Sequence, residues 1–202
     1  AQALETITIE GNRAAELVSQ ILDFSRRAMI RPQPLDLVPF VQEVIGIFRR
    51  TIPERVHMTL DLGVGACIIE ADPTRIQQAL LNLVANARDA MPDGGELQIG
   101  LHRVEIEPDE TAPVADMPSG TWARLTVADT GEGMTEAVQS HLFEPFFTTK
   151  EPGEGTGLGL AQVHGIVKQH HGYIDVTSAP GEGSTFRLYF PCQSRPQPKP
   201  AD

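Results

Sequence analysis

The chain has 202 residues, enough for one globular domain with an appendage or two small domains, and its 16 Lys and Arg stand against 27 Asp and Glu for a formal charge of −11. That acidic balance disfavours a general nucleic-acid or anionic-membrane surface, because phosphate backbones are held by clustered basic groups. No apolar run reaches 18 residues and no basic segment precedes a short apolar one, so neither a spanning helix nor a signal peptide is expected here. The opening Ala1-Gln2-Ala3-Leu4, without an initiator Met, suggests a piece of something longer. Cys67 and Cys192 make no metal-ligand spacing and are read as carrying no disulfide framework, which points to a reducing compartment.

Residues 1 to 29 lack proline and place Leu17, Ile21, Phe24 and Ala28 on one stripe, which predicts an amphipathic helix whose partner lies outside its own segment. Pro32 and Pro34 end it. A second helix is predicted over Leu37 to Arg50, a half-buried strand where Val56, Met58, Leu60 and Leu62 alternate with polar residues, and a turn at Gly63 to Gly65 leading into Ala66 to Glu70. Asp72-Pro73 supplies a capping carboxylate and a proline at the first helical position, so a helix should run from there to Met91. Leu97, Ile99 and Leu101 mark another strand, residues 105 to 120 an acidic, Pro-rich exposed loop, and Leu125 and Val127 a third strand. After a long irregular stretch with a short helix near Thr135 to Leu142, a helix from Leu158 to His170 and strands Tyr173 to Ser178 and Thr185 to Phe190 complete the pattern, followed by a Pro-rich tail from Gln193. Runs of strands with helices to one side predict an α+β, two-layer sandwich of a mixed, mostly antiparallel sheet and helices, preceded by one long helix.

Four constellations carry possible chemistry. Gln78, Asn82 and Asn86 stand one above another on the helix from Pro73; they are either a polar border or amide oxygens for a hydrated Mg²⁺. Asp129 shares the parity of Leu125 and Val127, so its carboxylate should face the apolar side, where it either caps the turn at Thr130-Gly131 or accepts from a ligand such as an adenine amino group. Glycines 153, 155, 157 and 159 before a helix can aim N–H groups at phosphate, or form a hinge. The stretch fits neither a Walker loop nor a dinucleotide fingerprint. Phe143, Phe146 and Phe147 form a satellite core or anchor a lid, and the six histidines read as surface or helix-end residues without metal spacing.

In order and spacing these segments resemble the catalytic, ATP-binding domain of sensor histidine kinases, in the Bergerat-fold group shared with gyrase and mismatch-repair ATPases, and within it the nitrogen-regulator-like branch. Asn82-Leu-Val-Ala-Asn86-Ala-Arg-Asp-Ala90 resembles the N box, Asp129-Thr-Gly-Glu-Gly133 the first glycine box, Phe143 to Phe147 the F box, Gly155-Thr-Gly-Leu-Gly-Leu160 the second glycine box and Gly183-Ser-Thr-Phe186 the closing strand motif. Ala14 to Arg27 is similar to the second helix of the family's dimerisation hairpin.

The resemblance implies a division into residues 1–30 (that helix, its first partner absent), 31–36 (linker), 37–191 (catalytic domain) and 192–202 (tail or linker). It implies ATP and Mg²⁺ as cofactors, Asn86 as Mg²⁺ ligand, and Asn82 and Lys150 as the catalytic pair. Asn82, which stands where hydrolytic relatives carry a Glu base, would help orient the phosphates or the metal, and an amide cannot deprotonate water. Asp129 would receive the adenine amino group above Gly131 and Gly133. Residues 134 to 157 would form the ATP lid, anchored by Phe146 and Phe147, with Lys150 on the phosphates. Asp89, Thr149, Gly155, Thr156, Gly157, Leu158, Gly159, Leu160 and Thr185 complete the implied ATP contacts. None of the six histidines has the phosphoacceptor context, so the chain is expected to bind Mg-ATP without phosphorylating itself. The implied partners are the parent kinase's phosphoacceptor helix and a response regulator receiver domain, with no nucleic acid or membrane contact, self-association through residues 1–30, and a cytoplasmic location under a parent that is free or membrane-anchored. A non-transferring nucleotide-binding module and a hydrolytic ATPase of the same fold stay open as alternatives.

Overall fold

The computed structural model describes residues 30–49, 52–63, 67–150 and 155–192. The helix expected over residues 1 to 29 and the tail from Gln193 lie outside these.

Strand β1 (Gln33–Asp36) leads into helix α1 (Leu37–Phe48), then β2 (Val56–Leu62), β3 (Ile68–Ala71), helix α2 (Pro73–Asp89), β4 (Gly95–Ile106), β5 (Gly120–Asp129), the short helix α3 (Glu136–Gln139), helix α4 (Gly159–Gln169), β6 (Tyr173–Ala179) and β7 (Gly183–Pro191). The main sheet has five strands in the order β2-β4-β5-β7-β6, with β2 parallel to β4 and the remaining pairs antiparallel. Helices α1, α2 and α4 cover one face, giving the expected two-layer α+β sandwich.

Alternation within the strands builds the core. One transverse row of the inner face reads Leu60, Ile99, Val127, Phe186, Val176, supplied by all five strands in register. The next row reads Met58, Leu97, Asp129, Ser184, Ser178. At that end polar groups replace the apolar ones, and the functional cavity opens there.

Helix α2 begins as its sequence dictates: the Asp72 carboxylate accepts from the N–H groups of Thr74 at 3.0 Å and Arg75 at 3.4 Å, behind Pro73. Burial would raise the Asp72 carboxyl, but backbone donors of Arg31, Arg75 and Thr74 and the charge of Arg75 bring it below the ordinary value. The same end of α2 is held by His170, only 3% exposed, whose Nε2 accepts from the Asp72 N–H at 3.0 Å while Nδ1 donates to the Ile166 carbonyl at 2.7 Å. His170 is the helix-end residue expected, the C-cap of α4, and it is buried there, tying that terminus to the start of α2.

Three other readings change. Gln33 to Asp36, inside the expected linker, pair with β3, and Pro34 is tolerated because a two-stranded sheet is all edge. The loop after β4 is not simply exposed. Met117 is buried with Ile106, Trp122 and Tyr189 on the outer sheet face, Trp122 Nε1 donates to the Pro118 carbonyl at 3.2 Å, and the Tyr173 hydroxyl donates to the Asp116 carbonyl at 3.0 Å. Cys67 and Cys192 form a disulfide with Cα atoms 6.0 Å apart. Their separation in sequence concealed a meeting that the fold creates, since Cys192 bridges to Ile69 of β3 where β7 ends.

Candidate functional site

Asp129 and Ser184 of this row line an open cavity of about 1380 Å³, walled by α2, the segment around α3 and the start of α4. A cleft of this size exceeds the usual range for small-ligand pockets and suits an extended ligand.

Asp129, 8% exposed, ends β5 with its carboxylate on the inner face as its parity requires. Its Oδ1 accepts from the Gly131 N–H at 2.9 Å, closing the turn. Burial raises its pKa above the ordinary carboxylate value, while backbone N–H groups of Gly131 and Ser184 pull it down without cancelling the rise. The turn is stitched to its surroundings: the Thr130 hydroxyl accepts from the Glu96 N–H at 2.9 Å, and the Glu132 N–H donates to the Ala90 carbonyl at 3.1 Å. Gly133 has φ +65°, and a Cβ there would strike the Ala179 carbonyl. Glycine is therefore demanded at this position by the protein's own backbone, whatever ligand binds. Met134, Leu142 and Phe186 give this end of the cavity apolar walls.

At the other end stand Asn82 and Asn86, successive on one face of α2, with Lys150, Gly155, Thr156, Gly157 and Gly159 opposite. Asn82 Nδ2 donates to the Gly159 carbonyl at 3.2 Å and to Gln162 Oε1 at 3.1 Å. The Asn86 side chain has no hydrogen-bond partner among the described residues. Lys150 Nζ donates to Asp89 Oδ2 at 2.5 Å, and Arg88 Nη2 to Asp89 Oδ1 at 2.7 Å. Burial would raise Asp89, yet the bonds and charges of Lys150 and Arg88 hold it below the ordinary value. Gly157 has φ +65° and its carbonyl accepts from the Phe146 N–H at 2.9 Å, while a Cβ at 157 would run into the Phe146 carbonyl.

Of the residues implied by sequence, Asn82, Asn86, Asp89, Asp129, Gly133, Phe147, Thr149, Lys150, Gly155, Thr156, Gly157, Gly159 and Leu160 line this one cavity. Four do not. Gly131 packs under the turn against Ala90, and Leu158, 1% exposed, is buried in the protein. Thr185 pairs with Ala128 and falls on the opposite face of β7, so its neighbour Ser184 lines the cavity instead. Phe146 does not anchor the loop with its ring, which is 62% exposed on a residue with φ 69°; its backbone does that work through Gly157. The ring anchors are Phe147, 5.6 Å from His141, and Phe143, stacked at 5.0 Å on His164. Burial, followed by the charge of Lys168, lowers the pKa of His164. Sequence reasoning missed Ser184 and the apolar pair Leu142 and Phe186. Strand parity could have found Ser184 and Phe186, since both share the face of Leu188.

The donor set suits a hard cation that brings its own ligands. Among the described residues no group of three or more His, Cys, Asp or Glu could hold a metal. Two carboxamides, one of them uncommitted, fit Mg²⁺, which takes few protein oxygens and fills its shell with phosphate and water.

The family model described as histidine kinase-, DNA gyrase B-, and HSP90-like ATPase matches residues 71–194. The sensor kinase CckA of Brucella abortus (strain 2308) is 39% identical over 180 residues, which is 89% of this chain and 19% of that protein. The sensor histidine kinase ZraS of Klebsiella oxytoca is 36% identical over 183 residues, 90% of this chain and 36% of that one. This chain thus spans well under half the length of either relative. Among solved structures, full-length ShkA in complex with AMPPNP aligns with a TM-score of 0.75 at 24% identity, over 96% of this chain and 40% of that one, a likeness of fold alone. Histidine kinase ThkA in complex with response regulator protein TrrA gives 0.70 at 26% identity, over 96% of this chain and 51% of that one.

Proposed function

Because the chain belongs to the histidine kinase-, DNA gyrase B- and HSP90-like ATPase family, we propose that it binds Mg-ATP and donates the γ-phosphoryl group to a histidine of a dimerisation hairpin in two-component signalling. The observation that carries this reading is the convergence of Asp129, Asn82, Asn86, Lys150 and the loop of Gly155 to Gly159 on one cavity. The Asp129 oxygen not bonded to Gly131, between apolar walls, suits a purine amino group. Lys150 and the N–H groups of the glycine loop before α4 suit phosphates. Mg²⁺, when bound, neutralises phosphate charge and orients the transferring group. In the transfer, an imidazole nitrogen of the acceptor attacks the γ-phosphorus, the bond to the ADP oxygen breaks, and the imidazole proton passes to a base on the acceptor side. Asn82 favours this over hydrolysis, since a carboxamide, unlike a carboxylate, is too weak a base to take a proton from water.

The acceptor histidine and a response regulator receiver domain are the proposed partners. The complex of ThkA with TrrA supports the second. No described helix is long and apolar enough to cross a membrane; an ATP-dependent reaction fits a cytoplasmic site of action, where the Cys67–Cys192 bond would be open to reduction. Calorimetric titration with ATP, with and without Mg²⁺, together with γ-labelled ATP tests the reading. Mg²⁺-dependent binding, no label on this chain, and acid-labile label on an added dimerisation hairpin are expected. Steady phosphate release without an acceptor would place the chain with the hydrolytic members instead.

A further inference from the structure

Helices α2 and α4 are joined behind the cavity by an ordered set of side-chain amides. Arg75 Nη1 donates to Gln78 Oε1 at 3.0 Å, which turns the Gln78 amide so that its Nε2 donates to Gln162 Oε1 at 3.4 Å. From the other side Asn82 Nδ2 donates to the same Gln162 oxygen at 3.1 Å and to the Gly159 carbonyl at 3.2 Å. A backbone carbonyl can only accept, so the Asn82 carboxamide cannot be reversed without setting oxygen against oxygen. Gln162 is the acceptor on which both donors of α2 converge. The price of that arrangement is visible in the same side chain, whose Nε2 is buried without a hydrogen-bond partner.

Both amide protons of Asn82 are therefore committed to α4. Its Oδ1 has no hydrogen-bond partner among the described residues, and Asn82 lines the cavity. We propose that Gln162 is a positioning residue, which holds Asn82 with its oxygen available to the cavity, so that Asn82 serves the cation of Mg-ATP, directly or through its water, rather than donating to phosphate. This inference rests on the nucleotide reading above. It assigns a role to a residue outside the cavity wall and decides between two roles that the residue type of Asn82 alone leaves equal. Partners that orient metal ligands typically change metal affinity about 10- to 100-fold when removed.

The test uses the whole chain and ATP titrations at a series of free Mg²⁺ concentrations and in EDTA. Gln162→Met, close in size but without the acceptor, should raise the Mg²⁺ concentration for half-maximal ATP binding by about tenfold and leave affinity in EDTA unchanged. Gln162→Glu keeps an acceptor for both donors and should stay near the wild type. Mg²⁺-dependent ATP binding that Gln162→Met leaves unaltered overturns the inference alone, as does an equal loss with and without Mg²⁺, the mark of a merely structural role. Absence of ATP binding by the wild-type chain at any Mg²⁺ concentration overturns the nucleotide reading itself and the inference with it. A measurement on the wild type does not depend on how the variants fold. The Asn82 side-chain amide protons, assigned by their disappearance in Asn82→Asp, should exchange slowly and remain protected in the Mg-ATP complex. Loss of that protection on binding would mean that Asn82 turns its donors toward phosphate, against the proposal.

Discussion

Replacing Asp129 by Asn isolates the purine end of the site. In the folded chain Oδ1 accepts from the Gly131 N–H at 2.9 Å, and the amide oxygen of Asn can keep that bond. The second oxygen becomes an NH₂ group, which faces the purine amino group donor to donor. A hydrogen bond to a charged group contributes about 1.5–3 kcal/mol, so ATP affinity should fall about 10- to 150-fold. Thermal stability should hold, because the carboxylate removed is one whose burial already raises its pKa. Titration with ATP and with inosine triphosphate, which lacks the amino group, separates recognition from damage: the wild type should prefer ATP and the variant should not. Acidification supplies an independent check with the sign worked out. A folded-state pKa above the ordinary 3.8 means that the folded chain holds a proton on Asp129 where the unfolded chain does not. This group's contribution to stability therefore declines as pH rises from that value through the folded pKa. Nucleotide affinity runs the opposite way and falls as Asp129 protonates. Unchanged ATP affinity in a well-folded Asp129→Asn variant would refute the assignment.

Gly133→Ala should destabilise by more than about 1–2 kcal/mol, the cost of a left-handed conformation in an L-residue, because its Cβ would also meet the Ala179 carbonyl; a thermal melt of the nucleotide-free chain reads this, and an unmoved midpoint would contradict the turn geometry. Reducing the Cys67–Cys192 bond should lower unfolding free energy by about 2–4 kcal/mol, measured as a shift in the urea midpoint with dithiothreitol. Lys150→Met should weaken ATP binding about tenfold, the low end for a bond to a charged group because Lys150 is partly exposed and screened, and should flatten the dependence of affinity on salt.

The fold was legible where one periodicity dominated. Leu97, Ile99 and Leu101 alternate, Asp72-Pro73 starts α2, and the parity of Asp129 with Val127 places its carboxylate on the inner face, all from local rules. What stayed hidden depends on partners distant in sequence. Gln33 to Asp36 become a strand only because Ile68 to Ala71 lie alongside, and Cys192 finds Cys67 only after β7 has been laid beside β5. At the site, the spacing of the glycines and asparagines indicated which residues gather, but not their directions. Thr185 and Ser184 differ by one position and hence by a face of the sheet, while Phe146 and Phe147 differ by a positive φ that sends one ring outward.

The formal charge of −11 sharpens what the site must do. Among the described residues, the charged ones lining the cavity are Arg55, Arg88 and Lys150 against Asp89, Asp129 and Glu132, three of each sign. Two of these three cations, Arg88 and Lys150, are both bonded to Asp89, which leaves Arg55. A triphosphate that recruits Lys150 must compete with that carboxylate, whose lowered pKa shows how well it is already served. The balance is then struck by groups that carry no net charge, the backbone N–H donors of the glycine loop, and by a divalent cation arriving with the nucleotide. On the proposed reading the cation adds to the positive charge of Arg55, and the orientation of the Asn82 amide, held from behind the cavity wall, leaves an oxygen to receive it.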